Sequence, residues 1–399
     1  MVTLDRVYQA AHALRGVVRE TDVIRAYNMA PDCELYLKAE NLQVTGSFKV
    51  RGAYFKVAML QDEQKEKGII ACSAGNHAQG VALAAREKNI PSTIFMPSTA
   101  PLSKVEATRS YGAQIRLIDG VYDDAHQAAL AYQQETGAFF VHPFDDVDVI
   151  AGQGTIGLEL MEQLPDLDAV IVPVGGGGLI AGVAYAIKNL NPNCKVYGVQ
   201  ACGASSMRES LQEGKQKTLP NINTFADGIA VKTPGDLTFS LCSEYVDEVV
   251  CVSDDQIAAA ILTLMERQKL VAEGAGAVAV AAAMFSAFPL KGKKVACIVS
   301  GGNIDVNILS RVLNRGLLTS GRISDLTIAL LDKPGQLREV SGIIAQHGAN
   351  VIKVNHNYGG ADMDINGCYL NITMETRDFA HLESIKNSLT GVGYTLCEV

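Results

Sequence analysis

Short apolar runs alternate with longer, amphipathic ones through most of the chain. Residues 68–72, 92–96, 114–118, 169–174, 195–199 and 294–299 are each five or six residues long and rich in Ile, Val and Ala. Runs of that length, bounded by polar or glycine positions, predict buried strands. Between them lie Ala- and Leu-rich stretches such as 79–88 and 180–188, which predict helices. The alternation predicts an α/β protein with two open, mostly parallel sheets wrapped by helices on both faces. Residues 1–16 carry helical amphipathic spacing, without the basic-then-apolar order of a leader. The pattern changes near residues 321–324. Beyond it come a strand-like run 326–331, a turn 332–335, a helix-like run to His347, strand-like runs 351–355 and 367–374, a second helix-like run, and 394–396. That order, β-α-β-β-α-β, predicts a ferredoxin-like unit over 324–399.

Composition narrows the function classes. The chain has 399 residues, enough for two or three domains, and 48% are hydrophobic. Its net charge is −9 and its pI about 5.3. Nucleic acid and anionic membrane both attract positive fields, so neither is expected as a partner. The most apolar stretch, 275–288, is too short to span a bilayer and predicts a buried helix. Nine cysteines without a CxxC or a Cys/His cluster predict free thiols in a reducing cytoplasm and no cysteine metal site.

Four segments carry candidate chemistry. Lys49 sits in Ser47-Phe48-Lys49-Val50-Arg51-Gly52, just after Thr45-Gly46. Alone it reads first as a solvated surface lysine, but the glycines permit close backbone approach and Phe48 offers a flat face. Gly175-Gly176-Gly177-Gly178-Leu179 follows a strand-like run and opens a helix-like one. Consecutive free N–H groups at a helix N-terminus suit a phosphate. A dinucleotide fingerprint would need GxGxxG spacing and an acid after the next strand, where Gln200 stands instead. Ser73-Ala74-Gly75-Asn76-His77 and Ser300-Gly301-Gly302-Asn303 also follow strand-like runs; Asn76 and Ser300 read either as helix caps or as groups for a heterocycle. A lysine for a Schiff base, a phosphate cradle and polar groups for a ring together point to pyridoxal phosphate. A hydroxyl at the ring nitrogen, in place of a carboxylate, leaves that nitrogen unprotonated and favours prompt loss of a Cβ substituent.

These motifs, in this order, resemble the fold-type II pyridoxal phosphate enzymes (the tryptophan synthase β-like fold), and within them the threonine and serine dehydratases. The C-terminal unit resembles an ACT regulatory domain. The resemblance implies a catalytic region at 1–320, with a smaller subdomain at about 50–145 inserted in a larger one, and an ACT domain at 324–399. It implies that Lys49 holds the cofactor and removes the Cα proton, that Phe48 packs on the ring, and that Asn76 touches the ring oxygen. Gly175, Gly176, Gly177, Gly178 and Leu179 would bind the phosphate and Ser300 the ring nitrogen. Ser73, Ala74, Gly75, Asn76 and His77 would form the loop for the substrate carboxylate. Ala226-Asp227-Gly228 matches a segment near the ring. The implied reaction is β-elimination of ammonia from L-threonine or L-serine. Serine racemase or another elimination or replacement enzyme of this fold is the alternative, and a regulatory protein with an inactive catalytic region is a more distant one.

Two positions depart from the racemases, which carry a second serine in the Ser-Ser-Gly-Asn-His loop. Here that position is Ala74, which cannot move a proton. Where racemases place carboxylates for a divalent cation, this chain has Gln200 and Ser206, around Ala204. No divalent metal is therefore expected, although a monovalent cation held by carbonyls fits. ACT domains pair and bind small amino acids. Residues 332–337 and Asn350 match the ligand-contacting positions, so an isoleucine or valine effector and a homodimer or homotetramer are implied.

Overall fold

The chain opens with the helix Leu4–Leu14, capped by the Thr3 hydroxyl, which accepts from the Arg6 amide at 3.2 Å. Val7, Ala10 and Leu14 form its buried stripe. In this computed structural model, residues 1–30, 32–358 and 365–397 are described. Two strands follow, β1 (Val23–Arg25) and β2 (Glu34–Lys38). The chain then leaves to build β3 (Ile69–Cys72), β4 (Ser92–Pro97), β5 (Gln114–Ile118) and β6 (Phe139–Phe140). It returns for β7 (Ala169–Pro173), β8 (Lys195–Ala201), β9 (Glu248–Val252) and β10 (Lys294–Ile298).

The excursion makes a sheet of its own, ordered β5-β4-β3-β6 and parallel throughout. The larger sheet runs β1-β2-β10-β7-β8-β9 and is parallel except for the β1–β2 pair. Every residue of β3 and of β7 is buried, as central parallel strands covered on both faces require. Of the runs that predict strands, all six are strands; β1, β2, β6 and β9 add to them. The buried Ala-rich helix is Gly274–Met284. No helix among the described residues is long and apolar enough to cross a membrane. All nine cysteines are free thiols.

Close helix packing fixes where the site will stand. The helix Lys49–Ala58 meets Val147–Gln163 at Gly52 and Gly152, where a Cβ on Gly152 would lie 2.5 Å from the Gly52 Cα. It meets Asn76–Glu87 at Gly80, whose Cβ would lie 3.2 Å from the Lys49 carbonyl. Beside this contact runs a buried charge network. Arg51 pairs with Glu40 at 2.8 Å and with Glu159 at 2.5 Å, and Lys38 pairs with Glu159 at 2.6 Å.

The contacts divide the chain into two compact units, Met1–Ile308 and Leu309–Val399, and the helix Val306–Thr319 crosses that division. The second unit contains β11 (Ile323–Leu331), β12 (Asn350–Asn357), β13 (Gly367–Glu375) and β14 (Thr395–Cys397), with the helices Gln336–Gln346 and Phe379–Gly391. Its sheet is antiparallel, ordered β12-β13-β11-β14, which is the ferredoxin-like arrangement. Side chains alternate in and out along β11 and β13, and the inner set packs with Val340, Ile344, Leu382 and Ile385. In the turn 332–337, Gly335 takes φ +101° and caps the next helix, and Asn350 donates to Glu375 at 3.1 Å.

Candidate active site

The four sequence segments all lie beyond the carboxyl ends of strands β2, β3, β7 and β10, and they converge. Backbone contacts join the lysine loop to the serine loop. Ser47 bridges Gly301, the Phe48 amide donates to the Ser300 carbonyl at 3.1 Å, and the Gly302 amide donates to the Gly46 carbonyl at 2.9 Å. Gly46 has φ +70°, and Asn303 occupies the space its side chain would need. Asn303 then ties in the third segment: its amide nitrogen donates to the Thr45 carbonyl and to Asn76 Oδ1, both at 2.8 Å.

Lys49 is the first residue of its helix. Its Nζ donates to the Pro143 carbonyl at 2.8 Å and lies 5.3 Å from the Phe48 ring centroid. Burial lowers this amine to about 8 against the opposing pull of Glu273, so an appreciable part is neutral and nucleophilic near neutral pH. It is no surface lysine.

The loop after β3 places Ser73 Oγ to accept from the Gly75 amide at 3.1 Å. Gly75, not Asn76, occupies the cap of the helix Asn76–Glu87. The Asn76 side chain is thus free to face the cavity, where its amide nitrogen donates to Glu273 at 2.6 Å. His77 is buried and its Nε2–H donates to the Val141 carbonyl at 2.8 Å. Burial, helped by the positive Lys49, lowers it to about 3 and keeps it neutral. A neutral ring of such low basicity orients groups and is a poor general base.

The glycine run follows β7 and opens the helix Gly178–Leu190 with Gly177 at φ +97°. Side chains are excluded by neighbours: a Cβ on Gly176 would lie 2.5 Å from the Phe144 ring, and one on Gly177 2.6 Å from Met207. The Thr238 hydroxyl holds the Gly176 carbonyl at 2.6 Å, and Leu179 is buried behind. The cradle is bare backbone at a helix N-terminus, which fits a phosphate. Ser300 caps no helix, since the next begins at Val306. Its buried hydroxyl donates to the Ala275 carbonyl at 3.2 Å, and rotation about the C–O bond can turn the same proton toward a ring nitrogen.

Phe48, Lys49, the loop Ser73 to His77, the run Gly175 to Leu179 and Ser300 line one cavity of about 740 Å³. Lysine, bare backbone cradle, neutral hydroxyl, the flat face of Phe48 and the Asn76 amide make a set of groups that fits pyridoxal phosphate. Asp227 of the loop 226–228 stands at its margin, in an ion pair with Lys104. Sequence reasoning missed Glu273, Lys104 and the Pro143 carbonyl. Glu273 was legible as the single acid in an apolar, small-residue stretch, Val271-Ala272-Glu273-Gly274-Ala275. At the positions considered for a cation, Gln200 Oε1 accepts from the Arg208 amide at 2.9 Å and the Ser206 hydroxyl donates to the Val231 carbonyl at 2.8 Å. Among the described residues no group of three or more His, Cys, Asp or Glu is placed to hold a metal ion.

The family model for pyridoxal-phosphate dependent enzymes matches residues 14–301. The chain belongs to this family. One relative of this pyridoxal-phosphate dependent enzyme is an L-threonine ammonia-lyase of Thermotoga maritima, 52% identical over 396 residues, or 99% of this chain and 98% of that one. Among solved structures, threonine deaminase isoform 2 of Solanum lycopersicum is 41% identical with a TM-score of 0.74, covering 78% of this chain and 88% of its own. Maize serine racemase is 38% identical with a TM-score of 0.75, covering 79% and 98%.

Proposed function

We propose that this protein deaminates L-threonine to 2-oxobutanoate and ammonia by β-elimination, and L-serine to pyruvate. The observation that carries this reading is Lys49, a half-buried amine of lowered basicity in one cavity with a bare phosphate cradle and a neutral Ser300 hydroxyl. Full-length similarity to an L-threonine ammonia-lyase supports it.

Bound pyridoxal phosphate supplies the electron sink that acidifies Cα and lets a Cβ substituent leave. This chain's residues do the rest. Gly175–Gly178 and Leu179 hold the phosphate, Phe48 faces the ring, Ser300 meets the ring nitrogen and Asn76 the ring oxygen. Ser73 to His77 receive the substrate carboxylate at the N-terminus of the helix Asn76–Glu87, where the backbone favours an anion. Lys49 anchors the cofactor, then takes the Cα proton. The β-hydroxyl departs as water, leaving an enamine. The released enamine tautomerises and takes up one water to give the 2-oxo acid and ammonia, so the reaction consumes no water overall.

Residues 1–320 form the catalytic region in this reading, with 50–145 as its inserted subdomain, and 324–399 form an ACT regulatory domain. That domain binds an amino-acid effector, isoleucine or valine, within a homodimer or homotetramer. Racemisation is disfavoured because Ala74 offers no acid on the opposite face. The test is 2-oxo acid release by the cofactor-loaded protein with L-threonine and, in parallel, L-serine. Rapid 2-oxobutanoate formation supports the reading; no oxo acid from either substrate, with cofactor bound, overturns it.

A further inference from the structure

Glu273 lies in the cavity with no task in the reaction above. It precedes the helix Gly274–Met284, its amide donates to the Gly301 carbonyl at 3.0 Å, and it is 4% exposed. A motif glycine makes room for it: a Cβ on Gly301 would run into its carboxyl. A buried carboxyl kept at such steric expense, hydrogen-bonded to a motif side chain at 2.6 Å, is a built contact.

The direction of that contact is fixed by chemistry. The Thr45 carbonyl can only accept, so the group of Asn303 that meets it is the amide nitrogen. The same nitrogen meets Asn76, which therefore presents its oxygen. The Asn76 nitrogen is left to point at Glu273. Both amides are thus locked, from a backbone carbonyl at one end to a carboxyl at the other. One N–H of Asn76 stays uncommitted along this chain of bonds.

We propose that Glu273 is a positioning residue, which fixes the Asn76 amide and through it the ring-oxygen side of the bound cofactor. This rests on the assignment of Asn76 to that oxygen. The charged groups around Glu273 are Asp227, Lys104 and Lys49. Burial raises its carboxyl to about 7, with Asp227 adding to the rise and Lys104, Asn76 and Lys49 opposing it. A carboxylate accepts from Asn76 more strongly than a neutral acid does. The hold on Asn76 therefore weakens as the pH falls through 7.

The experiment compares wild type, Glu273→Gln and Glu273→Ala by absorbance of the bound cofactor from pH 5.5 to 8.5 and by cofactor affinity, with thermal melts of the cofactor-free proteins. The expected result is a spectral transition near pH 7 in wild type that Glu273→Gln removes while keeping most of the affinity. Glu273→Ala should weaken cofactor binding on the order of ten-fold, the loss of one charge-assisted hydrogen bond. Asn76→Ala should be equally weak, and the double variant no weaker. Unchanged spectra and affinity in Glu273→Gln and Glu273→Ala, or full additivity with Asn76→Ala, overturns the proposal. If Glu273→Ala does not fold, the spectrum of the isosteric Gln variant decides alone. The wild-type 2-oxo acid assay separates the two claims. Oxo acid without the pH transition defeats only this proposal, and the transition without oxo acid defeats only the proposed reaction.

Discussion

The two units of this chain treat charge in opposite ways. In Met1–Ile308, Lys38, Glu40 and Arg51 are almost wholly buried, and Lys49 and Glu273 face a cavity. In Leu309–Val399 the inner face of the sheet is aliphatic, and ion pairs such as Lys386–Glu383 stand in solvent. Burying charge is costly unless every group is partnered. The first unit accepts that cost along the helix that carries Lys49. The second follows the simpler rule of apolar inside and polar outside. The difference marks where covalent chemistry is prepared and where it is not.

The largest effect that would test this contrast is at the reacting group. Lys49→Ala should lower 2-oxo acid release on the order of a thousand-fold or more and abolish the visible absorbance of the bound cofactor. Retained turnover would move the catalytic centre away from this helix. Next comes the buried network. Glu40→Ala leaves Arg51 short of a partner and should cost about 3–5 kcal/mol in urea unfolding. Its counterpart Lys386→Ala, at an exposed i,i+3 pair, should cost about 0.5 kcal/mol or less. Equal costs would erase the distinction.

Acid sharpens the same comparison, with two opposed slopes in the first unit. His77 is lowered from 6.5 to about 3 by burial and by Lys49, so its stabilisation is present above pH 6.5 and is lost as the pH falls toward 3. Glu273 is raised from 4.5 to about 7, so its stabilisation is full below 4.5 and is lost as the pH rises through 7. Thermal melts of His77→Gln should therefore lose part of the acid sensitivity between pH 6.5 and 4, and those of Glu273→Gln should hold up better than wild type above pH 6. Slopes unchanged in both variants would detach these residues from the stability of the fold. The smallest expected effect is a gain of function. Ala74→Ser supplies a hydroxyl in the cavity and should raise D-serine formation from L-serine from background to a measurable trace. No change on chiral analysis would mean that more than this hydroxyl is missing.

Much of this was legible in the sequence. Short apolar runs gave the central strands, because β3 and β7 are buried on both faces and need uninterrupted apolar residues. Edge strands were harder. β1 has three residues and β6 two, too few for any period to register. The lysine, glycine and serine segments were visible as motifs because their chemistry is local. Glu273 stood out only as a lone acid among small apolar residues and Lys104 not at all, because what makes them part of the site is proximity across long stretches of chain. The bond from Glu273 to Asn76 spans 197 positions, and Pro143 takes part only through a carbonyl that any residue could offer. His77, singled out by its motif, turned out to be held to the Val141 carbonyl as a neutral ring.

The sheet order has a consequence for how the protein is made. β2 pairs on one side with the short β1 and on the other with β10, so Glu34–Lys38 waits for Lys294–Ile298. On a ribosome, the four strands of the excursion are complete by Phe140, while the larger sheet cannot close until some 150 further residues have emerged. The loop bearing Lys49 hangs between these two events. A nascent chain stalled before residue 294 would hold a finished smaller lobe and an unassembled cavity, with β1 and β2 exposed to chaperones or to other chains.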